Sequence, residues 1–313
     1  PPLPPPRRAS APSRPAPFSP SRSAAHRAYD GGALSLGGGS TSTSSIVDTT
    51  LDRNRASNAG GAITLKDQHQ LLIQQTTLSN NIAGGNGGAI AHNGNGSSLD
   101  LDIRLSTLSG NEAGGSGGAL YNAAGANASL TRATLANNSA ATSGGGIDNI
   151  GNILLQGTII AGNSAPLSPD FSGSFTSLGN NIIQERQGSF GYGLSDLSQG
   201  TDPLLGPLAD NGGPTFTHAL LAGSPAIIDA GPSTGNLNDT DQRGVLLNGI
   251  PDIGAYESTL NQIANALAFS AGGGQSTVVG TFFALPLQAQ ITNALGNGLP
   301  GISVCNSCAP GFL

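Results

Sequence analysis

Residues 78–90 read Leu78-Ser-Asn-Asn-Ile-Ala-Gly-Gly-Asn-Gly-Gly-Ala-Ile90, and thirty residues on the chain reads Leu108-Ser-Gly-Asn-Glu-Ala-Gly-Gly-Ser-Gly-Gly-Ala-Leu120. A third copy runs Leu135-Ala-Asn-Asn-Ser-Ala-Ala-Thr-Ser-Gly-Gly-Gly-Ile147. Self-similarity at a fixed period outranks local signals, because each unit buries its apolar face against the next. The repeat has two blocks. Gly-Gly-Ala-Leu/Ile recurs at Gly31–Leu34, Gly60–Ile63, Gly87–Ile90 and Gly117–Leu120, with a variant at Gly144–Ile147; the intervals are 29, 27, 30 and 27 residues. The other block has weaker copies at Leu51–Ala56 and Ile160–Ala165, and it sets Asn54, Asn81, Asn111, Asn138 and Asn163 in one column.

Asn tolerates the left-handed conformation of a sharp turn. Stacked once per coil, its amides bond up and down a ladder. A Gly-Gly pair suits a corner that needs positive φ or close approach of the next rung. Short apolar or alternating runs lie between the blocks: Leu71-Leu-Ile73, Leu99-Asp-Leu-Asp-Ile-Arg-Leu105 and Ile153-Leu-Leu155. Alternation puts one side in and the other out. A unit of this length, with two or three short strands and tight corners, is one coil of a parallel β-helix. Helical solenoids fit poorly with so much Gly and Asn. The expected fold class is all-β: a right-handed parallel β-helix, the hand following the preference for right-handed crossovers. Five coils about 4.8 Å apart make a stack of roughly 20–25 Å.

Composition agrees. Among 313 residues there are 48 Gly, 10% charged and 4% aromatic residues, no Trp and no Met, which argues against a conventional core built on large side chains. Residues 1–29 hold five Arg and no acid; the remainder holds seven Lys/Arg against eighteen Asp/Glu, a net of −11. An acidic body argues against a nucleic-acid partner, which requires clustered Lys/Arg. No apolar run reaches the ~18–20 residues of a membrane span, so no transmembrane segment is expected in this stretch. The missing Met marks a fragment or a processed chain, so an absent signal peptide says nothing about export. The two cysteines, Cys305 and Cys308, build no disulfide framework. As a CxxC pair they lack the further ligands of a zinc site and the βαβ context of a redox site.

Residues 50–165 resemble the GGAI/NxA repeats of polymorphic outer-membrane proteins and related right-handed β-helix surface proteins. Beyond them come Ser177-Leu-Gly-Asn-Asn-Ile-Ile183, Asp202-Pro-Leu-Leu-Gly-Pro-Leu-Ala-Asp-Asn-Gly-Gly-Pro-Thr215, Gly223-Ser-Pro-Ala-Ile-Ile-Asp-Ala-Gly231, Asp241-Gln-Arg-Gly244 and Asp252-Ile-Gly-Ala-Tyr-Glu257. Together these resemble the closing segment of bacterial choice-of-anchor Q β-helix proteins, with Ile227-Ile228 standing where that pattern has one Ile. Residues 261–304 resemble the start of a bacterial Ig-like domain, through Leu267-Ala-Phe-Ser270, Gln275–Gly280, Pro286–Thr292 and Gly296–Gly301. A full sandwich of this kind needs about 100 residues, so the module is partial. The implied organisation is a disordered Pro/Arg-rich leader (1–29), parallel β-helix repeats (30–177), a closing segment (178–257), and a linker with a truncated Ig-like domain (258–313). The implied function is a non-enzymatic stalk or adhesin, extracellular or at the surface or outer membrane of a bacterium. Its partner would be a host or environmental glycan or protein. The alternative is a polysaccharide lyase or hydrolase of the pectate-lyase-like type.

The alternative has one catalytic candidate. Asp100, Asp102 and Arg104 alternate with Leu101, Ile103 and Leu105, and carboxylates with an Arg base suit lyase chemistry. Aligned through Leu78, Leu108, Leu135 and Ile160, however, the Asp102 column reads Leu72, Asp102, Ser129, Leu154, and the Arg104 column reads Gln74, Arg104, Thr131, Gln156. The acids stay on one coil, as on a solvated strand face. The acids Asp202, Asp210, Asp229, Asp239, Asp241, Asp252 and Glu257 are a further candidate for Ca²⁺, which needs six to eight oxygens. They read better as turn and cap formers, with Asp241 and Arg243 pairing over the end of the solenoid. His26, His69, His92 and His218 share no metal-ligand spacing. Gly84–Gly88 is followed by no Lys-Ser/Thr, so it is no phosphate loop. No cofactor is expected.

Overall fold

The protein is seen here in a computed structural model that describes residues 21–24, 26–37, 42–94, 99–227, 240–247, 251–258, 266–271 and 288–292. The described residues contain no helix; the chain winds into a parallel β-solenoid of about six turns with four faces. The first face stacks Ser21–Ala24, Thr49–Asp52, Thr77–Ser79, Thr107–Ser109, Thr134–Ala136, Ile159–Ala161 and Ile182–Ile183. The second stacks Arg27–Ala28, Arg55–Ala56, Ile82–Ala83, Glu112–Ala113 and Ser139–Ala140. The third runs from Leu34–Leu36 to Ser189–Phe190, and the fourth from Thr43–Val47 to Thr176–Ser177. A turn therefore has four strands where the sequence pattern predicts two or three. The second-face strands are two residues long, too short to show a period.

Every turn sits in the register that the repeats predict. Leu78 pairs with Leu108, Leu108 with Leu135, and Leu135 with Ile160. Inside, like stacks on like: Ile63, Ile90, Leu120 and Ile147 on the third face, and Ile73, Ile103, Leu130 and Leu155 on the fourth, all buried. Each such side chain contributes about 1.5–3 kcal/mol on burial. The second face turns only Ala56, Ala83, Ala113 and Ala140 inward, which keeps those coils narrow. Among the described residues, aromatics enter this core only in the last turns, where Phe171 packs on Phe175 and Phe175 on Tyr192.

The corners divide the work of the glycines. In each Gly-Gly pair the first has positive φ, as at Gly87 (73°) and Gly117 (71°). The second meets the neighbouring turn: a Cβ on Gly88 would run into the Gly118 carbonyl oxygen. In the other block the left-handed residue is the one before each column Asn, namely Arg53, Asn80, Gly110, Asn137 and Gly162. The column Asn residues are not themselves at positive φ; their amides, not their backbone tolerance, explain their presence.

Two further features depart from expectation. Ser21–Ala24 and Arg27–Ala28 pair with Thr49–Asp52 and Arg55–Ala56, so the first turn starts within the stretch read as a leader. Parallel pairing uses main-chain groups, which Ser and Arg supply as well as any residue. The closing segment, in turn, divides: Ile182–Ile183 and Ser189–Phe190 add the last strands of the first and third faces, whereas the part from Leu205 on does not lie over the end of the solenoid. That part forms an antiparallel pair, Leu205–Ala209 with Thr217–Leu220, and straps the outer side of the first face. There Ile159, Ala161, Ile182, Leu220, Ala226, Ile227 and Ile253 make a second apolar core. Farther on, Ala266–Ala271 pairs antiparallel with Gln288–Thr292. The other strand cues of the Ig-like reading, Asp229, Asp239, Cys305 and Cys308 lie outside the described residues.

Candidate functional site

Of the three residues of the catalytic candidate, Asp102 and Arg104 pair with each other and Asp100 is buried. Arg104 and Asp102 form an exposed ion pair, Nη2 to Oδ2 2.5 Å and Nε to Oδ2 2.8 Å, which raises the guanidinium pKa above its ordinary value. Asp102 lies between Leu72 and Ser129, and Arg104 between Gln74 and Thr131. Asp100 is 1% exposed and precedes strand Leu101–Arg104, with Oδ2 4.0 Å from buried His92 Nε2. Leu105 does not continue the alternation, because it occupies the corner at φ 47°. The strand face thus carries one self-neutralised pair with no partner acids on adjacent turns.

The polar side chains that recur turn after turn point inward. Nδ2 of Asn54, Asn81, Asn111 and Asn138 donates to Oδ1 of the next column Asn at 3.0, 2.9, 2.8 and 2.9 Å. That same Oδ1 accepts from the backbone N–H of the preceding Asn at 2.8–3.0 Å. The second amide hydrogen reaches back to Leu51, Leu78, Leu108 and Leu135 carbonyls. Asn81, Asn111 and Asn138 thereby use all four of their hydrogen-bonding positions. The column ends at Asp170, whose Oδ1 accepts from Asn163 N and Nδ2 and whose Oδ2 accepts from Glu185 N. Burial pushes this carboxyl up to about 6, against the pull of those N–H donors.

Two shorter ladders were not anticipated. His92 Nδ1 lies 2.7 Å from Asn122 Oδ1, and Asn122 Nδ2 donates to Asn149 Oδ1 at 2.7 Å. Because Oδ1 only accepts, Nδ1 carries the proton, and burial holds this neutral imidazole down to about 4. The signal was present in the sequence: these residues follow Ile90, Leu120 and Ile147 at a constant offset of two. At the corner before the first face, Thr76 N donates to Ser106 Oγ, Ala133 N to Thr158 Oγ1 and Thr158 N to Asn181 Oδ1. Asn181 Nδ2 then donates to Asp196 Oδ1, so this column also ends on a carboxylate.

The acids of the closing segment brace the strap. Asp241 Oδ1 accepts from Arg243 N and Val245 N, and its Oδ2 pairs with Arg243 at 2.6 Å and accepts from Glu257 N. Arg243 stacks on the Tyr256 ring at 3.7 Å. Glu257 Oε2 takes Asp252 N, and Asp252 Oδ2 takes Ser258 N. Asp202 and Asp210 accept from Leu204 N and Gly212 N two residues on, as turn formers. Between the braces Gln242 reads the first face: Nε2 donates to Thr77 Oγ1 and Thr215 Oγ1, and Oε1 accepts from Thr107 Oγ1 at 2.6 Å. His218 Nδ1 donates to Gly206 O, and its Nε2 takes the Ser109 hydroxyl; burial lowers its pKa.

Among the described residues no three His, Cys, Asp or Glu side chains are grouped to hold a metal ion. Ser44 Oγ stands 2.9 Å from His69 Nε2, but His69 Nδ1 has no orienting acceptor among them.

Among known families, the Chlamydia polymorphic membrane protein repeat matches residues 75–93, the stretch that holds Asn81, Gly87 and Gly88. No curated protein and no solved structure matches the chain.

Proposed function

We propose that this chain is a non-enzymatic β-solenoid of the bacterial surface or outer membrane, acting as a stalk with adhesin-like faces. One observation carries the reading: the Asn residues that recur with the repeat are buried in a ladder, while the outward side chains of the fourth face change from turn to turn. Such a molecule maintains a rigid axis and leaves its faces free to diverge. The polymorphic membrane protein repeat at residues 75–93 supports the surface location. The strap is the stretch that resembles the choice-of-anchor Q segment, and an Ig-like module after it would serve as a spacer. The pectate-lyase-like alternative is weakened by the isolated Asp102–Arg104 pair, because a catalytic groove draws its groups from neighbouring turns.

The test is surface labelling of intact cells producing the chain in its native host, alongside a polyuronate cleavage assay with Ca²⁺. Labelling without permeabilisation and no unsaturated product are expected. Labelling only after lysis would contradict the location, and product lost in Arg104→Ala would restore the lyase reading.

A further inference from the structure

Arg27 and Arg55 stand directly opposite each other on adjacent turns of the second face, both exposed, with Ala28 and Ala56 beside them in register. Neighbouring parallel strands are about 4.8 Å apart, and like charges directly opposite repel. Neither side chain has an ion pair or ring contact among the described residues. Lys66, Arg104 and Arg243, in contrast, are neutralised by Asp30, Asp102 and Asp241. Arg53 projects from the corner before this face, its side chain 75% exposed and only 3.6 Å from Asp52 at its nearest. Asp52 turns Oδ2 toward Arg53, while its Oδ1 accepts from Ser79 Oγ and Asn80 Nδ2, so the two arginines of this face without an acid among the described residues are Arg27 and Arg55.

The three arginines line one open cleft of about 470 Å³ whose other walls are Asn80 and Ile82. On a body with net charge −11 beyond residue 29, this is a concentrated positive site. Guanidinium groups bind carboxylate and sulfate groups in a fixed two-pronged geometry. Their stacking at the turn spacing presents charges in a row, and Ile82 with Asn80 supplies an apolar patch and an amide for a ring bearing hydroxyls. Glu112 follows Ile82 in the same column and closes the row with the opposite sign. A nucleic-acid duplex, with a charge every ~1.7 Å, would overrun three arginines onto the acidic surface.

We propose that this cleft binds an acidic polysaccharide through Arg27, Arg53 and Arg55. The proposal rests on the surface reading above and names the partner of one face. The experiment is calorimetric titration of the 313-residue chain with polygalacturonate oligomers at low salt, with neutral cello-oligosaccharides and inorganic phosphate as comparisons. Binding of the acidic oligomer is expected, weakened at least tenfold by Arg27→Gln/Arg55→Gln and falling with added salt. Unfolding curves of the variant check that the fold persists. Absent binding, equal binding by the double variant, or affinity no greater than for phosphate would each overturn it. None of these results bears on surface labelling of cells, so failure here is distinguishable from failure of the stalk reading.

Discussion

Asn111 shows how much one side chain holds. Its amide accepts from Asn81 N and Nδ2 and donates to Leu78 O and Asn138 Oδ1, all without water. Each buried group left unpartnered costs about 1–3 kcal/mol. Asn111→Leu strips two donors of Asn81, N and Nδ2, of their shared acceptor and Leu78 O of a donor, so a loss of at least about 3 kcal/mol is expected in chemical unfolding; wild-type stability would contradict the ladder. Asp170 and His92 give opposite pH dependences. Asp170, raised from 3.8 to about 6, binds in the folded state a proton that the unfolded chain has released, so its contribution falls as pH rises from about 4 to 6. His92, lowered from 6.5 to about 4, refuses a proton that the unfolded chain binds, so its contribution is lost as pH falls through that range. At about 1.4 kcal/mol per unit, each is worth on the order of 3 kcal/mol. Relative to wild type, Asp170→Asn is expected to gain stability at pH 7 over pH 4.5, and His92→Gln the reverse. Parallel curves for all three would refute the assignment.

At the scale of the element, the register was legible because Leu78, Leu108, Leu135 and Ile160 anchor each turn to the next. The buried position of Asp100 was not, because strict alternation holds only within Leu101–Arg104 and the corners on either side break it. The strap was misplaced for a related reason. Its Asp and Arg residues read as a cap, whereas its docking surface is a column of small first-face residues, Thr77, Thr107 and Thr134, that alternation assigns to solvent. Gln242 is the centre of that docking. Gln242→Ala is expected to make residues 200–258 at least tenfold more sensitive to limited proteolysis while the turns stay resistant. Unchanged cutting, or digestion of the whole molecule at once, would show that the strap is not a separable element.

For the whole molecule, a chain with few charges and few aromatics stays folded because every turn borrows its core from its neighbours. Repetition makes this architecture readable, and the variable outer faces, where partners bind, are the part that repetition does not encode. The central claim is the parallel stacking itself. The most direct measurement is the set of through-space proton contacts between backbone amides, by nuclear magnetic resonance on deuterated protein. The account predicts contacts joining the segments around Leu78 and Leu108, and around Leu108 and Leu135, at separations of 30 and 27 residues and in parallel order. Contacts confined to antiparallel neighbours a few residues apart would contradict it.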